Sequence, residues 1–403
     1  VETLARILAE YASDGVADAA AAAAELRARG LPVTRDENWR HANLHALQHV
    51  PGFAAAGTGA VEPGMPLPEP LAGFERLVLH NGRRVGAAAT GESAAVAGDE
   101  PASPAEATFE LLNRMFAPET QALQLADGAR LEILCAASAT SGGAAYPRLR
   151  LRVAAGARVQ LVERYVGGCG PRSLVCPSVA ASLGEGARLD HYRLQQCAED
   201  VLFLDTLTGE AASGARWNVR TADCGAATAR STALLRLAGP QAVLDWQSLA
   251  IAHHGQHSDL LLRVEHAARA TCTTQQYRAI CTEEGHAACS AEMRVLPQAG
   301  GARIAQSLRG LLEGARAEID LRPRLEIHTD EVQAAHGATT GRLDDALLFY
   351  LLSRGLEPDS ARALLRWAFL GDVLRHWQIA PLRRAAEHAA ASQLGTRVPE
   401  EPA

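Results

Sequence analysis

With 403 residues, 48% of them apolar, 21% charged and only 4% aromatic, the chain has material for two or three folding units with cores of Leu, Val, Ile and Ala. Its formal charge of −7 and pI near 6.1 supply no basic patch, which argues against a nucleic-acid backbone as the main partner. The longest unbroken apolar runs, residues 19–24 and 346–352, are far too short to cross a bilayer. The N-terminal residues have no basic start and no Leu-rich centre, so a cytoplasmic location is expected.

Residues 1–30 read as helix: Leu4, Ile7, Leu8 and Tyr11 form one apolar stripe, and an alanine-rich run extends to Leu26 before Gly30 and Pro32 stop it. Trp39, in the polar stretch that follows, has no basic cluster or second aromatic beside it and reads as a packing anchor. Residues 51–73 are rich in Pro, Gly and Ala and predict a linker or long surface loop. Two short strands then flank Asn81-Gly82, the strongest local signal for a hairpin. A second loose segment spans 87–104, and a short amphipathic helix over 109–116 closes an N-terminal region of residues 1–120.

The middle of the chain, 121–333, carries a weak internal repeat. Gly-Ala-Arg recurs at Gly128, Gly156, Gly186, Gly214, Gly301 and Gly314; the first gaps are 28, 30 and 28 residues, and the 87-residue gap before Gly301 is about three such periods. Turn-like breaks at Gly239-Pro240, Ala267-Ala268-Arg269 and Gly285-His286 fall within that gap. Between turns the pattern alternates: Leu149, Leu151 and Val153 against Arg148, Arg150 and Arg152; Ala317, Ile319 and Leu321 against Glu318, Asp320 and Arg322. Short strands with one apolar face, stacked repeat on repeat, suit a β-solenoid with an aliphatic core, although a large sandwich gives a similar pattern.

Near 334 the apolar period changes from two to three or four, and the remaining residues, 334–403, read as a helical domain. Leu343, Ala346, Leu347, Tyr350 and Leu351 mark a first helix with Asp344 and Asp345 in its opening turn and Gly355 just past its end. A second begins near Pro358 and a third follows Pro381. Arginines on their outer faces, among them Arg362, Arg366 and Arg375, read as a solvated face or a docking surface.

Motifs of chemistry are sparse. There is no Gly-x-x-x-x-Gly-Lys-Ser/Thr loop, no Gly-x-Ser-x-Gly elbow and no Gly-x-Gly-x-x-Gly after a strand, so the chain should not hydrolyse ATP itself. Eight cysteines are scattered without a Cys-x-x-Cys pair, which reads as reduced, mostly buried thiols. His253, His254 and His257 cluster without a carboxylate or thiolate at a supporting interval and read as hydrogen-bonded turn histidines. A glycan-cleaving solenoid needs paired acids, but Asp190, Asp245, Glu265 and Glu292 stand singly in alternating strands. His336 differs, because Ala334, Ala335, Gly337 and Ala338 leave its ring uncovered; iron ligation and a helix-capping or buried hydrogen-bonding role both fit.

The stretch Pro323-x-Leu325-Glu326-Ile327-x-x-Asp330-x-Val332, followed by His336-Gly337-Ala338-Thr339-x-Gly341-x-Leu343-Asp344 and Phe349-Tyr350-Leu351-x-Ser353-Arg354-Gly355, closely resembles the SufB/SufD family of iron–sulfur cluster assembly proteins. Glu37-x-Trp39-Arg40, Asn81-Gly82, Phe109-x-x-Leu112-Asn113 and Gln306-x-x-Arg309 extend the likeness over nearly the whole chain, and its length and N-terminal helices look more like the SufD branch. The resemblance implies a mainly β fold, a right-handed parallel β-helix between helical ends. It implies a non-catalytic scaffold that pairs with a SufB-like subunit through the β-helices, or with itself when SufB is absent. A SufC-like ATPase docks on the C-terminal helices, for which Phe349, Tyr350, Arg354, Leu365 and Phe369 are the candidate contacts. No cofactor is then stably bound to the isolated chain; a transient iron–sulfur cluster forms at the SufB interface, near His336. Many relatives carry Cys-Ser-His-Gly where this chain has Ala334-Ala335-His336-Gly337, so thiolates must come mainly from the partner. Two other readings remain at this point: a β-helix carbohydrate-active enzyme, and a SufB-like subunit that holds the cluster itself.

Overall fold

The computed structural model describes residues 2–11, 17–57, 65, 67–86, 104–138 and 143–398. The loose segment expected over 87–104 therefore lies, apart from Pro104, outside the described residues. The chain is mainly β, a parallel β-solenoid of about 7 turns flanked by helices.

Two parallel sheets form its walls. Sheet I runs, in spatial order, Arg83–Val85, Glu75–His80, Arg130–Ser138, Arg158–Gly168, Arg188–Cys197, Arg216–Asp223, Val243–Ala252, Cys272–Thr282, Ala302–Glu313 and Val332–Gly341. Sheet II runs from Gln121–Leu125 through Arg148–Val153, Ser178–Leu183, Leu202–Ala211, Thr228–Leu237, His257–His266 and His286–Val295 to Glu318–Ile327. Successive coils stack in register, so that Leu189, Trp217, Leu244, Thr273 and Ile304 form one inward column. The alternation read from the sequence puts these side chains between the sheets, where each buried Leu or Ile contributes about 1.5–3 kcal/mol.

The repeat has a backbone cause. Before six successive strands of sheet I, Arg158–Gly168 to Ala302–Glu313, the chain turns through a residue in the left-handed region: Gly156 (φ 71°), Gly186 (65°), Gly214 (65°), Gln241 (61°), Ala270 (56°) and Gly301 (80°). The N–H of each donates to the coil above, as from Gly186 to Ser213 O (2.8 Å), Gln241 to Arg269 O (3.0 Å) and Gly301 to Glu331 O (2.7 Å). The long gap between Gly214 and Gly301 thus holds two more turns, with Gln241 and Ala270 in place of glycine. Gly314 belongs elsewhere: a Cβ there would meet the Glu283 carbonyl oxygen at 2.3 Å, at the opposite corner of the solenoid.

The N-terminal residues form two helices rather than one, α1 (Glu2–Glu10) and α2 (Ala17–Arg29). With α3 (Thr108–Phe116) they cover the outer face of sheet II, where Ile7, Leu26, Trp39, Phe109 and Leu112 pack on Leu174, Leu202 and Leu204. Trp39 is an anchor as expected, edge-on to Phe109 at 5.3 Å with the Arg230 guanidinium 4.5 Å from its ring centre. The Asn81-Gly82 turn joins an antiparallel pair, with both residues at positive φ. On the opposite side α5 (Pro358–Leu374), α6 (Ala380–Gln393) and the link between them lay Leu370, Leu382 and Trp377 against Tyr192, Leu249 and Ile280 of sheet I.

Part of the interior is ionic. Arg193 donates to Glu163 (2.8 Å) and doubly to Asp205 (2.7 and 2.8 Å), while His191 Nε2 donates to Glu163 (2.7 Å) and the Tyr165 hydroxyl donates to the same carboxylate. Burial pushes the Glu163 carboxyl up, but Arg193 and His191 outweigh it and hold it at about 2. Asp223 lacks such a partner: burial pushes it up to about 7, only partly offset by the hydroxyl of Ser258.

This gives a pH signature. Because the folded carboxyl of Asp223 titrates above its unfolded value, its contribution is fully present below about 4 and is lost as the pH rises through about 7. Asp223→Asn should therefore leave stability at pH 4 nearly unchanged and raise it at pH 8 by about 2–4 kcal/mol, read from denaturant midpoints at the two pH values.

Candidate functional site: the open last coil

Strand Val332–Gly341 continues sheet I eight residues past the boundary expected at 333. The change of period is displaced to Arg342 and Leu343, and helix α4 starts at Asp345 (Asp345–Ser353). Its N-cap is Asp344, whose Oδ1 accepts from Ala346 N (2.8 Å) and Leu347 N (3.2 Å). His336 lies mid-strand, so the capping role is excluded. Gly355 follows the helix at φ 86°, as its C′ position requires.

In register, His336 continues the inward column Trp246, Gln275, Gln306. The glutamines are buried and joined: Gln306 Nε2 donates to Gln275 Oε1 at 2.9 Å and to Ala291 O at 3.3 Å. His336 has a coil below it and none above, and is exposed. Ala334 and Ala338, aligned with the core residues Ile304 and Leu308, flank it. Across the interior Ile319, Leu321 and Leu325 are only half-buried, because nothing closes the end of the core.

Both last strands have one unpaired edge. They are not equivalent. Glu318–Ile327 contains Pro323 and alternates with Arg322, Arg324 and Glu326, the devices that keep an edge from pairing. Val332–Gly341 reads Val-Gln-Ala-Ala-His-Gly-Ala-Thr-Thr-Gly, with no proline and no permanently charged side chain, so its ten-residue edge is unguarded. Next to it in sequence, α4 buries none of its side chains: Leu347 is 51%, Phe349 71% and Tyr350 53% exposed. The helix is apolar on all sides and is left uncovered by the described residues.

Residues 135–369 match the family described as SUF system FeS cluster assembly, SufBD core domain. The chain belongs to the SufB/SufD family. It is 25% identical to the iron–sulfur cluster assembly protein SufD of Escherichia coli over 367 residues, which cover 87% of this chain and 86% of that protein. A SufBD family protein of Mycobacterium bovis is 26% identical over 89% of each chain, and one of Synechocystis is 32% identical over 50% of this chain and 44% of its own. Membership places the chain in SUF-system iron–sulfur cluster assembly, most like SufD. No helix among the described residues is long and apolar enough to cross a membrane.

The residues singled out from the sequence are brought together only in part. Phe349, Tyr350 and Arg354 stand exposed on or beside α4, with Arg354 5.2 Å from the Tyr350 ring centre. Leu365 and Phe369 are half-buried on α5, and Phe369 packs on the cluster beneath it with Arg278 at 5.9 Å. Asp190 and Asp245 are not poised acids: Asn218 donates to the first (2.8 Å) and Arg220 to the second (2.5 Å). Seven cysteines are buried, and only Cys272 is half-exposed. Burial pushes the thiols of Cys176, Cys197, Cys224 and Cys289 well up, and that of Cys281 to about 12, so none is a ready thiolate. Among the described residues His336 has no pair of His, Cys, Asp or Glu ligand atoms gathered with it. The cluster that does form, His41 with His286 and Asp320, escaped the sequence reading because its members are far apart in the chain.

Exposure and burial set opposite expectations for the C-terminal region. The double change Phe349→Ser with Tyr350→Ser should alter unfolding free energy by no more than about 0.5 kcal/mol, whereas Trp377→Ala, which removes a ring buried against Tyr192 at 5.6 Å, should cost about 3–5 kcal/mol in urea titrations.

Proposed function

We propose that the chain is a SufD-like, non-catalytic scaffold subunit of a SufBCD complex: it pairs with a SufB-like subunit through its last coil and docks a SufC-like ATPase through α4 and the exposed side of α5. The observation that carries this reading is the unguarded edge Val332–Gly341 directly continued by the uncovered helix α4. An open strand edge supplies a row of backbone donors and acceptors to a partner strand, and the unclosed core beside it supplies apolar area. The same pairing of edges accounts for a homodimer when no SufB-like partner is present.

His336 is then this subunit's contribution to a transient iron–sulfur cluster at the SufB interface, and no cofactor is held by the isolated chain. Imidazole nitrogen is a competent iron ligand, while Ala334 and Ala335 offer none. Seven of the eight cysteines are buried, so the thiolates come mainly from the SufB-like side. ATP hydrolysis belongs to the SufC-like partner.

Co-expression of the three subunits separates these roles. Ala335→Asp with Thr339→Asp, on the unguarded edge, should abolish co-purification with the SufB-like subunit. Phe349→Asp with Tyr350→Asp should release the ATPase and leave the SufB-like subunit bound. His336→Ala should retain both partners but lower the cluster yield of the complex, followed by visible absorbance, several-fold. A monomer indifferent to both partners would end the scaffold reading. Anaerobic reconstitution of the isolated chain should give no strong iron–sulfur absorbance; a stoichiometric cluster there would assign it the cluster-holding role instead.

A further inference from the structure

The outer face of sheet II carries a group of side chains that scaffold pairing does not use. His286 opens strand His286–Val295 and Asp320 is the third residue of Glu318–Ile327. His41 comes from the N-terminal segment that crosses these strands. That segment is pinned on both sides of His41: Trp39 is buried, Arg230 donates to Asn38 O (2.9 Å), Asn43 donates to the Thr228 hydroxyl (3.2 Å), and Arg322 donates to Glu37 (2.9 Å). His41 Nδ1 lies 3.1 Å and His286 Nε2 2.9 Å from the same oxygen, Asp320 Oδ2, and the three ligand atoms all lie within 4.8 Å of one another. All three side chains are partly exposed, so the site is open to solvent.

We propose that His41, His286 and Asp320 bind a divalent transition-metal ion of the zinc class, with water completing a four-coordinate sphere. Two imidazoles and one carboxylate are the ligand set of an open zinc site, and a borderline cation prefers them to an all-oxygen site. Donor atoms at about 2.0–2.1 Å from a tetrahedral ion are separated by about 3.3 Å, close to the 3.1 and 2.9 Å that already separate the two imidazole nitrogens from Asp320 Oδ2. The surroundings fit as well. A metal at His286 Nε2 places that ring's proton on Nδ1, and the Nδ1 of His257 stands 3.3 Å away to accept it. The ion would tie the N-terminal segment to the last coil of sheet II, joining parts of the chain that are linked there only by side-chain contacts. The site stands on the geometry of the single chain and does not depend on SufB or SufC pairing.

The test uses the full chain, stripped with a chelator and titrated with zinc chloride, and with ferrous iron under anaerobic conditions. Calorimetry should give one ion per chain, saturating zinc should raise the unfolding midpoint by about 3 °C, and zinc should slow trypsin cleavage of the Arg40–His41 bond at least tenfold. His286→Ala and Asp320→Asn should each weaken binding at least tenfold and remove the protection, while His254→Ala, outside the three ligands, leaves zinc affinity and protection unchanged. Asp320→Asn is nearly isosteric and decides the matter alone if His286→Ala does not fold. Sub-stoichiometric binding, or equal affinity in wild type and Asp320→Asn, would overturn the site and leave a hydrogen-bonded His–Asp–His cluster. Tighter binding of ferrous iron than zinc would overturn the assignment to the zinc class.

Discussion

The structure depends on one constraint: every coil must pass its backbone hydrogen bonds to the next. The left-handed corner residues, the in-register columns and the thin aliphatic core are ways of satisfying it for coil after coil. Helices attach to the outer faces of the two sheets and leave the ladder uninterrupted. At Val332–Gly341 the chain turns into a helix while the ladder is still open, and the last coil keeps unmet donors and acceptors along one side. The candidate functional region is this remainder of the rule that builds the fold.

The repeat was legible because its corners demand positive φ, which glycine supplies at no steric cost; it faded between Gly214 and Gly301 because Gln241 and Ala270 adopt the same conformation without being glycine. Alternation was legible wherever inward positions are aliphatic. It gave no sign of Glu163, His191, Arg193 and Asp205, which occupy inward positions and satisfy one another there. Pairing of that kind is written in the register between coils, not in any local window.

For the site, the motif around His336 was readable as a family pattern but not as a conformation. Ala, Gly and Thr around it have modest strand preference, and the run read as the start of the helical domain; its parallel register with Ala302–Glu313 decides otherwise. The uncovered character of α4 was invisible as well. Its spacing of Leu347, Tyr350 and Leu351 matches a buried stripe, and only the placement of α5 and α6 on sheet I reveals that α4 has nothing to cover it. A ligand group assembled from position 41 and positions 286 and 320 needs the N-terminal segment to be laid across sheet II before it exists at all.

The two ends of the solenoid are unlike. At its beginning, the described edges are a three-residue antiparallel strand, Arg83–Val85, and the five-residue Gln121–Leu125; at its finish they are ten residues each, one of them guarded by Pro323. A rod that can be joined at both tips grows into a fibre, but a rod with one receptive tip cannot. Among the described residues there is no second unguarded edge of comparable length. Over those residues the solenoid is therefore polar, with its one long unguarded edge at the finish.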